Sequence, residues 1–247
     1  MIYEIRLKAR QRQAQSSAIL FLSFMIIALS VLTVNLLPLV FVSTIKPSIG
    51  ENKTLSAIAS TTLIVLSSLV YSGLSLGADR FMLKRAENVT TGAGDIFYYF
   101  RLGRLASMCR FHLALSAKKL LIYAVLAVPF AVCAGIFILL CQRGFSAAVC
   151  TVFGVFTVLF FLLSIVTFYR ISDTYFLVRY KFIKGDYLNF RQLFSISQQE
   201  MLPKIKRLRR MKLSFFGWFG LCILIAPIPY VWSYYRQCKA CFAAETE

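Results

Sequence analysis

Uncharged apolar stretches divide the chain into five segments, each long enough to cross a lipid bilayer as a helix. These windows hold no Asp, Glu, Lys or Arg and cover residues 13–45, 54–78, 120–142, 144–169 and 213–235. A bilayer core is about 30 Å thick, so a spanning helix needs about 20 apolar residues. The windows are continuously apolar and do not alternate, which favours helices over the strands of a membrane barrel.

The pattern therefore predicts an all-α fold, a polytopic membrane helix bundle with about five transmembrane helices and interfacial amphipathic helices on the cytoplasmic side. We expect one integral membrane domain over residues 1–247, with spans at about 18–43, 55–78, 120–141, 145–169 and 213–235. Composition agrees, because 59% of the 247 residues are hydrophobic and only 15% are charged. A soluble domain carries roughly 25% charged residues, so a soluble single-core protein is excluded.

Basic residues alternate in density between the segments that join the predicted spans. The N-terminal segment, residues 79–119 and residues 170–212 together hold 23 of the 28 Lys and Arg residues. The other side holds five, namely Lys46, Lys53, Arg143, Arg236 and Lys239. Basic loops remain in the cytoplasm, so we expect a cytoplasmic N-terminus and, after five spans, a C-terminus outside. This rule also accounts for the net charge of +18 without nucleic-acid binding.

Two segments on the predicted cytoplasmic side, residues 79–119 and 170–212, mix bulky apolar residues with basic ones. Such segments are typical of helices that lie in the membrane interface. Within the second segment, apolar residues recur every three or four positions with one gap, and Pro203 should start a new helix or bend the existing one. The recurring residues are Phe190, Leu193, Phe194, Met201, Ile205 and Leu208. Residues 95–113, with five aromatic residues beside three arginines, predict a second surface-lying element.

A run of six cations precedes the last apolar window. Each cation near an anionic leaflet contributes about 1 kcal/mol to membrane association. The run serves either as a stop signal that anchors the last helix or as a contact site for anionic lipid. Its members are Lys204, Lys206, Arg207, Arg209, Arg210 and Lys212.

Small residues at helical spacing predict close helix packing. Gly73 and Gly77 form a GxxxG pattern, which lets two helix backbones approach closely, either within the protein or in a dimer. Gly217 and Gly220 form a second small face near the start of the last window. We therefore expect the fifth helix to pack against the second through these four glycines.

No arrangement of residues in the sequence predicts catalysis, a metal site or a cofactor. The single histidine, His112, lies in a basic segment without the acid and nucleophile that a triad requires. One Cys-x-x-Cys pattern, Cys238 and Cys241, leaves a disulfide or redox role open, since a second pair would be needed for a strong metal signal. We expect a protein that is not an enzyme and has no cofactor.

Several short patterns resemble a family of uncharacterised multi-pass membrane proteins of Gram-positive bacteria, catalogued as domain of unknown function nine-seven-five. They are Leu76-Gly77, Arg80-Phe81, the stretch 84–87, the aromatic cluster 95–100, and Leu213-Ser-Phe-Phe-Gly-Trp218. Ser197, Met201 and the aromatic residues Trp232, Tyr235 and Phe242 are also similar to that family. The resemblance implies a protein of the bacterial plasma membrane and no known activity.

Two functions remain open from the sequence. The first is a non-enzymatic membrane protein that binds membrane lipids or a partner membrane protein through its basic, aromatic cytoplasmic face. The alternative is a permease-like transport component without its own nucleotide-binding site.

Overall fold

The computed structural model describes residues 2–14, 53–185, 189–221 and 228–245, together with eight single helical positions between residues 21 and 40. These residues form α-helices joined by short turns, with no strand in the described part, so the all-α prediction is confirmed. The helices are α1 (Ile2–Ala14), α2 (Lys53–Ala86), α3 (Leu105–Gln142), α4 (Ala147–Ser172), α5 (Phe176–Lys184), α6 (Phe190–Met201), α7 (Ile205–Leu213), α8 (Phe216–Leu221) and α9 (Ile228–Ala244). The first predicted span, residues 18–43, lies outside the described residues apart from the single positions.

Three helical stretches are long and apolar enough to cross a membrane: Thr61–Ala86, Leu105–Gln142 and Ala147–Lys184. The most apolar 18-residue windows of the last two contain no residue that is buried inside the protein. Continuous apolar surface of this length is stable only in lipid, where every backbone group is paired within the helix. The protein is therefore a membrane protein, and these helices contain the second, third and fourth predicted spans.

Helices α3 and α4 form an antiparallel pair along their apolar length. The Ser164 hydroxyl donates a hydrogen bond to the Leu126 carbonyl oxygen at 2.7 Å, and the rings of Phe130 and Phe161 lie 5.3 Å apart. Both helices extend beyond the predicted spans, because α3 begins 15 residues before residue 120. The surface-lying element predicted at 95–113 is thus wrong, since residues 105–113 belong to α3 and residues before them form short 3₁₀ turns.

The buried core lies beyond one end of the apolar helices and contains the segments that were predicted to be cytoplasmic. Its largest fully buried side chains include Phe81, Phe111, Phe215, Phe242, Leu177 and Leu193. Leu193, Met201 and Leu208 of the predicted amphipathic stripe are buried in this core, with Phe190, Phe194 and Ile205 packed against it. The stripe therefore faces protein, and its predicted role as a lipid-facing surface is wrong.

Residues at the helix ends explain where the helices around this stripe begin and end. Helix α6 ends at Met201, and α7 begins at Ile205 after a 3₁₀ turn that contains Pro203. Before α6, the Asn189 side chain accepts a hydrogen bond from the Arg191 backbone N–H at 3.1 Å and caps the helix. Helix α5 ends at Gly185, whose φ of +85° is a conformation that favours glycine.

The last apolar window does not form one straight helix. Helix α8 ends at Leu221 and α9 begins at Ile228. The Phe215 ring lies 5.3 Å from the Tyr234 ring and 5.1 Å from the Tyr235 ring, whereas a straight helix would separate residues 215 and 234 by about 28 Å. The described residues of this window, 213–221 and 228–235, therefore fold back on each other, and we call these two stretches the hairpin; the prediction of a single spanning helix is wrong.

The two ends of the described chain lie together. Helices α1 and α9 pack along each other, and the Lys8 ammonium lies 2.9 Å from the Glu245 carboxylate. The Tyr234 hydroxyl also donates a hydrogen bond to the Arg6 carbonyl oxygen at 3.3 Å. A membrane cannot lie between groups in direct contact, so these two helices occupy the same side, unlike the predicted opposite sides.

The four glycines that were predicted to join the fifth helix to the second lie in two different environments. A Cβ added at Gly77 would lie 1.8 Å from the Ile96 carbonyl oxygen, and one at Gly73 would lie 2.8 Å from the Phe100 ring. The partner is thus the turn segment between α2 and α3. A Cβ at Gly217 or Gly220 would meet nothing within 4 Å in the described chain, so these glycines do not pack against α2 there.

Candidate functional site

A buried charge cluster lies where α2, α5 and α9 meet. The Asp79 carboxylate is 2.8 Å from the Arg179 guanidinium and 3.1 Å from that of Arg236. Both guanidinium groups also donate to the Ser75 hydroxyl, at 2.9 and 2.7 Å. A carboxylate this deeply buried is stable in its charged form only because opposite charges and hydrogen bonds replace its hydration.

Some donors in this cluster have no acceptor among the described residues. The Arg236 side chain is 7% exposed, and its Nη1 and the buried Nε of Arg179 have no hydrogen-bond partner in that part of the chain. The Arg236 guanidinium stacks over the Trp232 ring at 4.5 Å from its centroid. Two cations share one carboxylate here, so the cluster keeps a net positive charge.

A polar cavity of about 210 Å³ opens beside Asp79 and Arg179. Three further cations line this cavity, from three different helices, together with Ser172 and the aromatic residues Tyr175, Phe176 and Tyr180. The cations are Lys119, Lys212 and Lys239. We call this space the basic cavity. It lies at the end of the apolar part of two helices, because Lys119 directly precedes the apolar window 120–142 and Ser172 lies three residues after the window 144–169.

The charges around the basic cavity do not balance. Asp173 pairs with Lys212 at 2.5 Å and with Arg209 at 3.3 Å, and Asp79 pairs with two arginines. Lys119 and Lys239 have no ion pair in the part of the chain that the structure describes. The cavity wall therefore carries excess positive charge that the protein itself does not neutralise.

Lys239 has an unusually low pKa of about 7. Burial is the main cause, Asp79 opposes it, and the nearby Arg236, Arg179 and Lys212 act in the same direction as burial. The Lys239 ammonium nitrogen lies 4.7 Å from the centroid of the Tyr235 ring. The proton on Lys239 is thus held weakly, and a bound anion would hold it more firmly.

The six cations predicted to contact anionic lipid separate into two groups. Arg209 and Lys212 turn inward to Asp173, which ties α7 to the end of α4. Lys206, Arg207 and Arg210 are exposed on the outer face of α7. Lys204 is partly exposed. The residues that follow expose apolar side chains, since Leu213 is 71% and Phe216 79% exposed.

A second exposed surface lies at the turn between α2 and α3. Leu102 is completely exposed and lies between Arg101 and Arg104, whose guanidinium groups are 5.8 and 5.5 Å from the Tyr98 ring. Because the Phe100 ring contacts Gly73, this turn lies beside the end of the apolar part of α2. Apolar and cationic residues together are typical of the headgroup layer.

The two cysteines of the Cys-x-x-Cys pattern are buried, reduced residues of α9. Burial raises the pKa of the Cys238 thiol to about 12, and it also raises the pKa of Cys241. The Gln237 side chain, which directly precedes Cys238 in sequence, donates a hydrogen bond to the Met82 carbonyl oxygen at 3.2 Å. A thiol that remains protonated in this way is a poor nucleophile, so the geometry favours a packing role over a redox one.

Sequence reasoning missed the buried cluster and the basic cavity. Asp79 lies one residue beyond an apolar window, and Arg236 and Lys239 were assigned to the opposite side of the membrane. The available signal was the scarcity of acids, because segments 79–119 and 170–212 contain 19 cations and only six carboxylates: Asp79, Glu87, Asp95, Asp173, Asp186 and Glu200. Among the described residues, no group of three or more His, Cys, Asp or Glu side chains could hold a metal ion.

Comparison with family models, with curated proteins and with solved structures gave no match to this chain. The resemblance described above therefore stays a prediction, and the function is argued from the geometry.

Proposed function

We propose that this chain is a non-enzymatic membrane protein that binds anionic lipid at the cytoplasmic face of a bacterial plasma membrane. The observation that carries this proposal is the pairing of two surfaces on consecutive helices. Helix α7 presents Lys206, Arg207 and Arg210 outward, and the residues that follow it expose apolar side chains. A basic helix face followed by an exposed apolar hairpin matches the two layers of a leaflet, headgroups and then acyl chains.

The position of α7 supports the same assignment. Asp173, at the end of apolar helix α4, holds Arg209 and Lys212 of α7. The outward cations are thus fixed at the level where the apolar surface ends, which is the level of lipid phosphates. The exposed turn with Arg101, Leu102 and Arg104 lies beside the corresponding end of α2 and adds a second contact of the same kind.

The distribution of charge supports a cytoplasmic location for this face and for both termini. Arg236 contacts Asp79, and Lys239 lines the basic cavity, so both belong with the basic segments. Once these two residues are moved to that side, only Lys46, Lys53 and Arg143 remain on the other. The bias that defines the cytoplasmic side is therefore stronger than the sequence alone indicated.

The proposal is tested on the full-length protein in a neutral detergent. Added phosphatidylglycerol should raise the melting temperature and quench tryptophan fluorescence at lower concentrations than phosphatidylcholine, and salt should weaken the difference. The variant K206Q/R207Q/R210Q should lose most of this preference. Three cations at about 1 kcal/mol each correspond to a loss of about a hundredfold in relative affinity.

A matched control removes the same charge from exposed positions elsewhere. The variant R10Q/R143Q/R191Q changes three exposed arginines on α1, at the turn after α3, and on α6. Its lipid preference should remain close to that of the wild type. Equal binding of both lipids by the wild type, or an equal loss in both triple variants, would contradict the proposal.

A further inference from the structure

We propose that the basic cavity between α2, α3, α5, α7 and α9 is a binding site for one phosphate group. This inference deepens the proposed function by assigning a second, enclosed site to a defined chemical group. It rests on the proposed function in one respect only, namely that the cavity opens at the level of the lipid headgroups. Its test uses soluble phosphates as well as lipid, so the two proposals can fail separately.

The charge of the cavity selects an anion. Asp79 is already shared by Arg179 and Arg236, and Asp173 is shared by Arg209 and Lys212. Lys119 and Lys239 remain without a carboxylate among the described residues, and both line the cavity. Lys239 is half-buried, whereas Lys119 is exposed at the rim. A cation that loses hydration without gaining a partner is costly, and an anion in the cavity would lower that cost for Lys239.

The donors present match phosphate better than a carboxylate. Lysine ammonium groups from α3, α7 and α9 converge on the cavity from three helices, and the Arg179 guanidinium adds a planar donor. The Ser172 residue lines the same wall and can offer a hydroxyl. A group with several equivalent oxygens can accept from donors on several sides at once, which a flat carboxylate with two oxygens cannot do.

The size and position of the cavity fit a phosphate on a glycerol headgroup. Its volume of about 210 Å³ equals that of about seven liquid waters, enough for a tetrahedral oxyanion and a small substituent. Lys119 and Ser172 lie where the apolar windows of α3 and α4 end. A lipid could therefore place its phosphate in the cavity while its acyl chains remain beside the apolar surface of these helices.

The same chemistry could come from a lipid or from a soluble phosphate ester, and the experiment separates the two. The purified full chain in neutral detergent is titrated with inorganic phosphate, with glycerol 3-phosphate and with short-chain phosphatidic acid, and binding is followed by calorimetry. The variant Lys119→Gln should weaken binding at least fivefold. The matched control Lys118→Gln changes the adjacent lysine, which is exposed like Lys119 but does not line the cavity, and should bind within twofold of the wild type.

Each result decides the inference. Binding of phosphatidic acid alone, with the loss in Lys119→Gln, supports a lipid headgroup as the source, whereas similar binding of all three ligands supports a soluble phosphate. In either case the variant K206Q/R207Q/R210Q should retain binding in the cavity, even if it loses its surface lipid preference. The inference is overturned if none of the three ligands binds, or if Lys118→Gln and Lys119→Gln behave alike. Lys239→Gln provides a second variant from another helix and should give the same loss as Lys119→Gln.

Discussion

At Gly77 the backbone of α2 lies directly against the backbone of the turn that precedes α3. An added Cβ would be 1.8 Å from the Ile96 carbonyl oxygen and 2.6 Å from its carbon. The neighbour is main chain, so no side-chain rotation can relieve the overlap. We expect Gly77→Ala to lower the free energy of unfolding by about 1–3 kcal/mol, the usual cost of overpacking.

Thermal unfolding in detergent checks this prediction against Gly135→Ala. At Gly135, in the exposed apolar part of α3, an added Cβ meets nothing within 4 Å in the described chain. Alanine favours helix more than glycine does, so this control should melt at the same temperature or slightly higher. Equal melting temperatures for the two variants would mean that the approach at Gly77 is not as tight as described.

Lys239 should give the protein a measurable dependence of stability on pH. Its pKa is about 7 in the folded chain, against an ordinary value of 10.5, because burial disfavours the charge. The groups that face it are Asp79, Arg179, Arg236 and Lys212. Between pH 7 and 10.5 the unfolded chain binds a proton that the folded chain has released, so this group makes stability rise with pH. The slope is at most about 1.4 kcal/mol per pH unit.

The measurement compares melting temperatures of the wild type and Lys239→Met from pH 7 to pH 10. Near pH 7 the variant should be the more stable protein, since it carries no buried charge, and its advantage should shrink as pH rises. Lys118→Met removes a solvent-exposed lysine on α3, and its curve should stay parallel to that of the wild type. A constant difference between wild type and Lys239→Met would show that Lys239 is fully hydrated.

Single residues differ in how far their roles can be predicted from sequence. The spacing of Gly73 and Gly77 was sufficient to predict close packing, because the absence of a Cβ has a local consequence. It could not name the partner, since many surfaces can approach a small residue. Asp79 and Arg236 were missed for the same reason, because their contact joins positions far apart in the chain and no local pattern records it.

Among the elements, apolar patterns located the helices but not their surroundings. The stripe that contains Leu193, Met201 and Leu208 has the spacing of a helix face, and it was assigned to lipid although it packs in the protein core. Hydropathy measures the free energy of moving a side chain out of water. Because the interior of a protein and the interior of a bilayer are similarly apolar, it does not distinguish between them. The helix break that was predicted at Pro203 is confirmed, because the effect of proline on a helix is local.

The window 213–235 shows that hydropathy also cannot identify a spanning helix from length and apolarity alone. It has the length and apolarity of a spanning helix, yet the rings of Phe219 and Tyr235 lie 5.4 Å apart across a hairpin. Two features argue for the hairpin in retrospect: Pro227 and Pro229, which favour a break, and the cluster of aromatic residues at both ends. A hydropathy window averages over such features, so it reports one span where two short helices return to the same side.

For the whole molecule, this hairpin decides where the C-terminus lies. The count of five spans required the termini to lie on opposite sides, whereas α1 and α9 are in contact through Lys8 and Glu245, Arg6 and Tyr234. The basic segments, the buried core and both described chain ends then form one body at one end of the apolar helices. The apolar helices α3 and α4 extend from that body with no other described element packed along their apolar windows.

This arrangement predicts that a chemical cross-linker can join the two ends of the chain in native membranes. The Lys8 ammonium and Glu245 carboxylate are 2.9 Å apart and both are accessible, with 60% and 27% of the side chains exposed. A water-soluble carbodiimide, which joins an amine to a carboxylate without a spacer, should couple them in membrane vesicles. Peptide mass spectrometry should then recover a linked pair from the first and last segments.

Glu245→Gln should abolish this pair, because an amide does not react. The Lys184–Glu87 pair, with its atoms 2.7 Å apart and 24% and 33% of the side chains exposed, provides a positive control on a single face. If that control pair forms and the Lys8–Glu245 pair does not, the two termini are separated by the membrane, and the hairpin, the charge assignment and the cytoplasmic C-terminus all fail together.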